Sequence, residues 1–534
     1  MSTATADTGR MPRQISYIIG NEACERFSFY GMRNILVPFL ISSILLAYLP
    51  EGPERDTAAK DIFHMFVIGV YFFPLLGGWL ADRYFGKYHT ILWFSLVYCA
   101  GHACLALFEN NATGFYTGLF LIALGSGGIK PLVVSFCGDQ FDQSNKSKAK
   151  LVFDAFYWII NFGSFFASLL APLFLRHWGP AVAFGIPGVL MFIATFVFWL
   201  GRRHYVNVPP SGNDPHGFFE VVKTALRAHE PGQGRTGYAV AMLGVAVAVM
   251  LLVLWALSLA GVVPAWWAEH FNFVKSACLA LGVVIALGGW GASMHLERAR
   301  GVHPDIAVDG VRAVLRILIV FALVTPFWSL FDQKASTWII QGREMAIPAW
   351  MPIQDAAQMQ ALNPLLVMLL IPFNNIVLYP LLRRLGFQVT ALRRMGWGIA
   401  ISGLSWVVAG VLQLWLDGGE QVSLAWQSLP YLLLTFGEVL VSATALEFAY
   451  SQAPHTMKGV IMAFWYLTST FGSLWVLLTN TAVRNEAVTG FITGTGLSEN
   501  AFLMFFFAGF AFVAALAFAA YARRYPMQDN YRVA

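Results

Sequence analysis

The chain has 534 residues, 57% hydrophobic and only 12% charged, with a net charge of +5 and a mean hydropathy of +0.62. A soluble domain carries about twice that charged fraction, and the short alternating segments of a membrane β-barrel are missing from the sequence. Apolar runs of roughly 20 residues recur instead, each long enough for the hydrocarbon core, so the composition predicts an all-α polytopic membrane protein.

The first 14 residues, MSTATADTGRMPRQ, are polar and lack a signal-peptide core with a small-residue cleavage site. The first apolar run is expected to act as its own insertion signal. Spans are predicted at 15–48, 60–82, 88–108, 113–138, 152–175, 181–201, 237–263, 273–297, 311–340, 361–384, 395–416, 427–453, 457–483 and 500–525, fourteen in all, which places both termini on one side. One set of loops holds Arg83, Lys87, Lys146, Lys148, Lys150, Arg202, Arg203, Lys223, Arg227, Arg235, Arg298, Arg300, Arg383, Arg384, Arg393, Arg394 and Lys458. The alternate loops hold little beyond Arg55, Lys60, Arg176, Lys275, Arg343 and Arg484. By the positive-inside rule both termini are expected to be cytoplasmic.

Residues 202–236 are rich in Pro, Gly and charge, with FFEVVKTAL between as a candidate amphipathic helix on the membrane surface. The expected organisation is a cytoplasmic tail (1–14), a six-helix bundle (15–201), a cytoplasmic linker (202–236), an inserted helix pair (237–297), a second six-helix bundle (298–525) and a cytoplasmic tail (526–534). GGWLADRYFGKYHTI (77–91) and YPLLRRLGFQVTALRRMG (379–396) occupy matching junctions of the two halves, a weak internal repeat. Parallel halves around a central cavity are a transporter architecture. The five cysteines are scattered and form no CxxC, which predicts packing residues and neither a disulfide framework nor a metal site.

A charge at the middle of a span costs about 2.5–3.5 kcal/mol on insertion scales, so each one calls for an explanation. In NEACERFSFYGMRN (21–34), Glu22, Arg26 and Arg33 recur at spacings of four and seven and share a helix face, with Glu25 adjacent. A self-neutralising pair that aids packing leaves Arg33 without an acid on its own helix. Lys130 ends the glycine-rich run LGSGGIKP, Asp332 and Lys334 lie in FWSLFDQKAS, and Glu438 and Glu447 lie in FGEVLVSATALEFAYSQAP. His64 stands seven residues before Tyr71, and Asn161 and Asn363 are amides in apolar runs. The first half thus supplies surplus cations and the second half acids. Facing each other, they would make a cavity suited to a zwitterion: a carboxylate on Arg and Lys, an ammonium on Glu. Tyr30, Tyr71, Trp328 and Trp465 are candidates for its apolar pockets, with ordinary interhelix packing as the alternative for each. Acids beside arginines also make a proton switch, and a histidine titrates in the useful range unless it is a hydrogen-bonded structural one.

ExxERF with YGMR (Glu22, Glu25, Arg26, Phe27, Tyr30–Arg33) resembles the first-helix motif of the proton-coupled oligopeptide transporters, the peptide transporter family of the major facilitator superfamily. GGWLADRYFGKYHTI, GSGGIKP with GDQF (138–141), FYWIINFGSF (156–165), LNPL (362–365) and GEVLVSATALEFAYSQAP (437–454) match family blocks in order, from about residue 15 to 525. The resemblance implies a major facilitator fold with two extra helices and proton-driven import of di- and tripeptides by alternating access. It implies protons as the coupling ion, no other cofactor and no nucleic-acid partner; a monomer is expected, and the short extracytoplasmic loops and extra helix pair point to a bacterial inner membrane. It implies proton coupling at Glu22, Glu25 and Arg26, with Asp332 and His64 as further candidates. It implies gate salt bridges Arg33–Asp332 and Lys130–Glu438. Substrate contacts are implied at Arg26, Tyr30, Arg33, Tyr71, Lys130, Asn161, Trp328, Asn363, Glu438 and Trp465, with Glu438 holding the peptide amino terminus. Phe29 stands where many bacterial members have a second tyrosine, and Asp332 where many have glutamate. These two features and His64 look more like the animal branch. The competing readings are a relative that carries nitrate or another small organic anion, and a peptide sensor without turnover. The chain has no GxSxG, HExxH or compact nucleophile motif, and it is not expected to be an enzyme.

Overall fold

The computed structural model describes residues 11–526 apart from 142–148, 211, 213, 229–233 and 453–456. Lys146 and Lys148 lie outside the described residues, as do most of both tails and the side chains of Lys150, Glu447 and Lys458.

Nineteen α-helices run through the described residues. The first group is α1 (Ile15–Phe39), α2 (Pro53–Leu80), α3 (Gly86–Leu107), α4 (Ala112–Gly138), α5 (Ala149–Trp178) and α6 (Pro180–Leu200). Then come α7 (Phe218–Arg227), α8 (Thr236–Leu259), α9 (Ala265–His270) and α10 (Phe273–His295). The last group is α11 (Asp305–Asp332), α12 (Thr337–Arg343), α13 (Leu362–Phe373), α14 (Tyr379–Arg384), α15 (Ala391–Asp417), α16 (Ser428–Gln452), α17 (Lys458–Val483), α18 (Glu486–Gly494) and α19 (Glu499–Ala522).

Each predicted span overlaps one or more helices. Thirteen stretches are long and apolar enough to cross a membrane, and one of them, Pro53–Leu107, has 55 residues. A crossing takes about 20, so this stretch holds two, α2 and α3, and the described residues give fourteen crossings. The reversal falls at Gly86, whose φ of 72° is open to glycine at little cost. The repeat of this punctuation is visible in the second half. A π-helical turn at Ala81–Phe85 precedes Gly86, and another at Asn374–Leu378 lies ahead of Gly386, whose φ is 84°.

Two expectations need correction. The predicted span 311–340 is not one helix: it breaks at the 3-10 turn Gln333–Ala335 and at Ser336, whose φ of −131° is not helical. The linker helix α7 does not simply lie on the membrane surface. Phe218, Val221 and Ala225 are buried against Leu296, Val308 and Val311 at the start of the second half.

Two apolar cores organise the molecule. One is built mainly from residues of α1–α6, joined by Ala335 and Ile340 of the second half, and the other from residues of α11–α19 and their connections. In the first, α1 packs on α5 and α6, and α4 on α2 and α3; in the second, α15 packs on α16 and α19, and α11 on α17. The groups meet where α2 packs on α17 and α5 on α13. The pair α8–α10 stands to one side, and α10 is the member that touches α11 and α17.

Candidate functional site

The glycines of LGSGGIKP explain how Lys130 reaches the interior. A Cβ on Gly127 would sit 2.5 Å from the Cβ of Phe73, and one on Gly128 2.5 Å from that of Phe94. Only glycine lets α4 approach α2 and α3 this closely, and the approach buries Lys130 in the first bundle.

On α1, Glu22, Glu25 and Arg26 are all buried. Arg26 Nε donates to Glu22 Oε1 at 2.7 Å and lies 2.9 Å from Glu25 Oε2. Two carboxylates therefore compete for one guanidinium. Glu22 Oε2 and both oxygens of Glu25 accept no hydrogen bond from a protein donor, so the cluster has acceptor capacity to spare. Two turns further along α1, Arg33 Nη2 donates to Asp332 Oδ1 at 2.6 Å across the two bundles. Ser469 Oγ donates to Asp332 Oδ2 at 2.9 Å.

His64 is fully buried beside this pair. Its Nδ1 is 3.3 Å from Ser473 Oγ and its Nε2 3.2 Å from Ser336 Oγ. It joins α2 to α17 and to the break after α11 through neutral hydroxyls, with no carboxylate among its hydrogen-bond partners. Asp61 continues the same seam, accepting from Asn480 Nδ2 and Arg484 Nη2, each at 2.8 Å. At α5, Arg176 Nη1 donates to the Gln354 carbonyl at 2.6 Å. These contacts tie the bundles together on the side opposite the basic loops.

The expected Lys130–Glu438 pair is not formed in this conformation. Lys130 Nζ lies 3.3 Å from the centroid of the Phe29 ring and 5.0 Å from that of Tyr71, a desolvated cation–π arrangement. Phe29, which the sequence marks as a lost hydroxyl, is the face that carries this ammonium. Glu438 Oε2 instead accepts from Asn363 Nδ2 at 2.6 Å, and Asn363 Oδ1 accepts from Lys334 Nζ at 2.7 Å. Lys334 also sits 3.4 Å over the Phe331 ring.

The aromatic candidates fall along the seam. Tyr71 stacks with Tyr466 across the bundles at 6.4 Å, Tyr30 meets Phe29 edge-on at 5.4 Å, and Trp328 meets Trp465 edge-on at 5.9 Å. The Trp328 Nε1 donor is buried with no protein acceptor. Asn161 turns back on its own helix, donating to the Tyr157 carbonyl at 2.9 Å.

Sequence reasoning singled out Lys334 as an intramembrane charge without giving it a role, and it missed Ser336, Ser469 and Ser473 as members of the site. Ser469 and Ser473 carry the weaker signal of two hydroxyls four apart on an apolar helix. Ser336 has no signal until the helix break is known.

Two six-helix bundles, an inserted helix pair and a charged interior shared between the bundles define a membrane protein of the major facilitator fold. A family model described as PTR2, the POT family, matches residues 88–495. The chain belongs to the POT family. It is 31% identical to peptide transporter family 2 of Caenorhabditis elegans, over 76% of this chain and 48% of that protein. It is also 31% identical to solute carrier family 15 member 2 of Homo sapiens, over 76% of this chain and 49% of that one. The chain spans about half the length of the curated relatives it matches. Among solved structures, an auto-inhibited POT family peptide transporter aligns with a TM-score of 0.93 at 67% identity, covering 98% of this chain and 99% of that one. The POT family transporter PepTSo aligns with a TM-score of 0.92 at 63% identity, covering 98% and 100%.

Proposed function

We propose that this protein imports di- and tripeptides together with protons, by alternating access of a site between its two bundles. The observation that carries the reading is the shared guanidinium of Arg26, held by Glu22 at 2.7 Å and within 2.9 Å of Glu25. A proton on either acid weakens that hold and frees hydrogen-bonding capacity on Arg26 for a peptide carboxylate. Arg33 and Lys130 add positive charge on the same wall. Across the cavity Glu438 receives the peptide ammonium, with Lys334 and Asn363 keeping its carboxylate positioned until substrate arrives. Tyr30, Tyr71, Asn161, Trp328 and Trp465 line the side-chain pockets, whose apolar and aromatic character suits varied peptides. Transport of a simple anion leaves Glu438 and its amide partner without a task.

Arg33–Asp332 is the latch that closes the outer side. Lys130 and Glu438 pair when the cycle opens that side and closes the inner one. The divisions at 15–201, 202–236, 237–297 and 298–525 are the moving bundle, linker, inserted pair and second bundle. The protein works as a monomer in a bacterial inner membrane with both termini in the cytoplasm. One proton moving inward across 100 mV releases about 2.3 kcal/mol, and the pH gradient adds to it.

The test is uptake of labelled dialanine into liposomes under an inward pH gradient, for wild type and for Glu22→Gln with Glu25→Gln. Accumulation by wild type, with only exchange retained in the variant, is the expected result. Full accumulation by the variant would move coupling to His64 or Asp332. No dialanine uptake by folded wild type would overturn the peptide assignment.

A further inference from the structure

Away from the central site, α10, α11 and α17 enclose a slot of about 870 Å³. Along α17 its wall runs from Phe464 to Leu478, roughly 21 Å of helix at 1.5 Å per residue. That is enough for the acyl chains of one leaflet, since the whole hydrocarbon core is about 30 Å thick. The rim faces the bilayer: Trp290 and Ile319 are 58% and 47% exposed. At the end nearer the basic loops the wall carries Arg312 and Arg316, one turn apart on α11. Arg312 is neutralised by Glu297 and Asp309. Arg316 is half-buried, and its guanidinium makes no hydrogen bond or ion pair among the described residues. Its backbone carbonyl accepts from the Tyr521 hydroxyl at 3.2 Å, and its charge lies within electrostatic reach of Tyr521 and Tyr525.

A guanidinium with no acid partner among the described residues, at the end of a greasy slot, is better placed when an anion comes with the grease. We propose that this slot is a binding site for one anionic phospholipid, its acyl chains along α10 and α17 and its phosphate on Arg316. A guanidinium fork matches phosphate geometry. The occupied slot would fill the space between the inserted pair and the second bundle, alongside the contacts that α10 makes with α11 and α17. The choice of the cytoplasmic leaflet rests on the orientation proposed above; the preference for an anionic headgroup does not.

The experiment is thermal unfolding of the purified full chain in mixed micelles, with added phosphatidylglycerol or phosphatidylcholine, for wild type, Arg316→Gln, Ala286→Trp and the double variant Arg383→Gln with Arg384→Gln. Ala286 lines the slot, and a tryptophan there fills it. Phosphatidylglycerol should raise the wild-type midpoint above the phosphatidylcholine value. That extra rise should vanish in Arg316→Gln and in Ala286→Trp, and persist in the double variant, which alters charges outside the slot. Native mass spectrometry should show a phosphatidylglycerol adduct lost in the same two proteins, so one misfolded variant would still leave a decisive comparison. Equal rises with both lipids, or an extra rise that survives both slot variants, would overturn the proposal.

Discussion

Replacing Asp332 with asparagine should open the outer seam. Asp332 is fully buried and takes Arg33 Nη2 at 2.6 Å and the Ser469 hydroxyl at 2.9 Å. Asparagine keeps the shape but removes the charge, and Arg33 Nε has no other protein partner. An uncompensated buried charge costs about 3–5 kcal/mol. In an outward-open state water hydrates Arg33 and most of that cost disappears. The cost therefore falls on the closed state, and the equilibrium shifts by roughly two to three and a half powers of ten. Spin labels at Tyr48 and Phe491, 69% and 66% exposed, report the change in a background whose five cysteines are replaced by serine. The distance distribution between them should move to longer values in Asp332→Asn. It should return toward the wild-type distribution in Arg33→Gln with Asp332→Asn, where neither charge remains. An unchanged distribution in Asp332→Asn would refute the idea that this pair holds the seam shut.

His64→Gln keeps partners for Ser336 and Ser473, so peptide accumulation should persist while His64→Leu loses it; loss of accumulation with intact exchange in His64→Gln would instead make the histidine a proton carrier. Phe29→Leu removes the ring under Lys130, a contact of about 2 kcal/mol when desolvated, and should lower the unfolding midpoint, whereas Phe29→Tyr keeps the ring and should not; equal losses would place the cost in packing alone. Wild type should prefer dialanine over its N-acetylated form, and Glu438→Gln should erase most of that preference in competition uptake; a preference that survives would assign the ammonium to another acid. Asn363→Leu strands Lys334 from Glu438 and leaves a buried cation with one partner fewer, so peptide affinity should fall at least about tenfold; unchanged affinity in folded protein would remove the amide from the site.

The crossings were legible because lipid imposes a length of apolar chain that no soluble fold requires, and the Gly-containing junctions at 77–91 and 379–396 do end in left-handed glycines, Gly86 and Gly386. Of the contacts between the halves that the sign pattern implies, Arg33–Asp332 is formed. What stayed hidden was how partners are shared out. Lys130 and Glu438 are opposite charges in facing halves, and sequence gives no distance between them; a phenyl ring and an amide took the places that an ion pair was expected to fill. Ser336 entered the site through a helix break that apolar continuity through 311–340 conceals. His64 found hydroxyls on two elements, Ser473 on α17 and Ser336 at the helix break, and a lone serine in an apolar span usually marks only close packing.

The proposed coupling rests on where α1 places its charges. Arg26 and Arg33 are seven residues apart, about 10.5 Å along one rigid helix, and each is bound by acids of a different kind. Arg26 is held by acids on its own helix, so its release moves nothing else. Arg33 is held by an acid from the other bundle, so its release separates the halves. In the function proposed above, a peptide carboxylate that draws on both arginines would link protonation at Glu22 or Glu25 to loss of the Arg33–Asp332 contact, without any change in the helix between them. Ser469 and His64 set the strength of that link. Ser469 shares the carboxylate that Arg33 uses, and His64 holds the same stretch of α17 through Ser473, one turn away. Ser469→Ala should thus weaken the latch and leave the Arg26 cluster untouched. A distance distribution shifted outward while a pH gradient still drives accumulation is the outcome that separates the gate from the proton site.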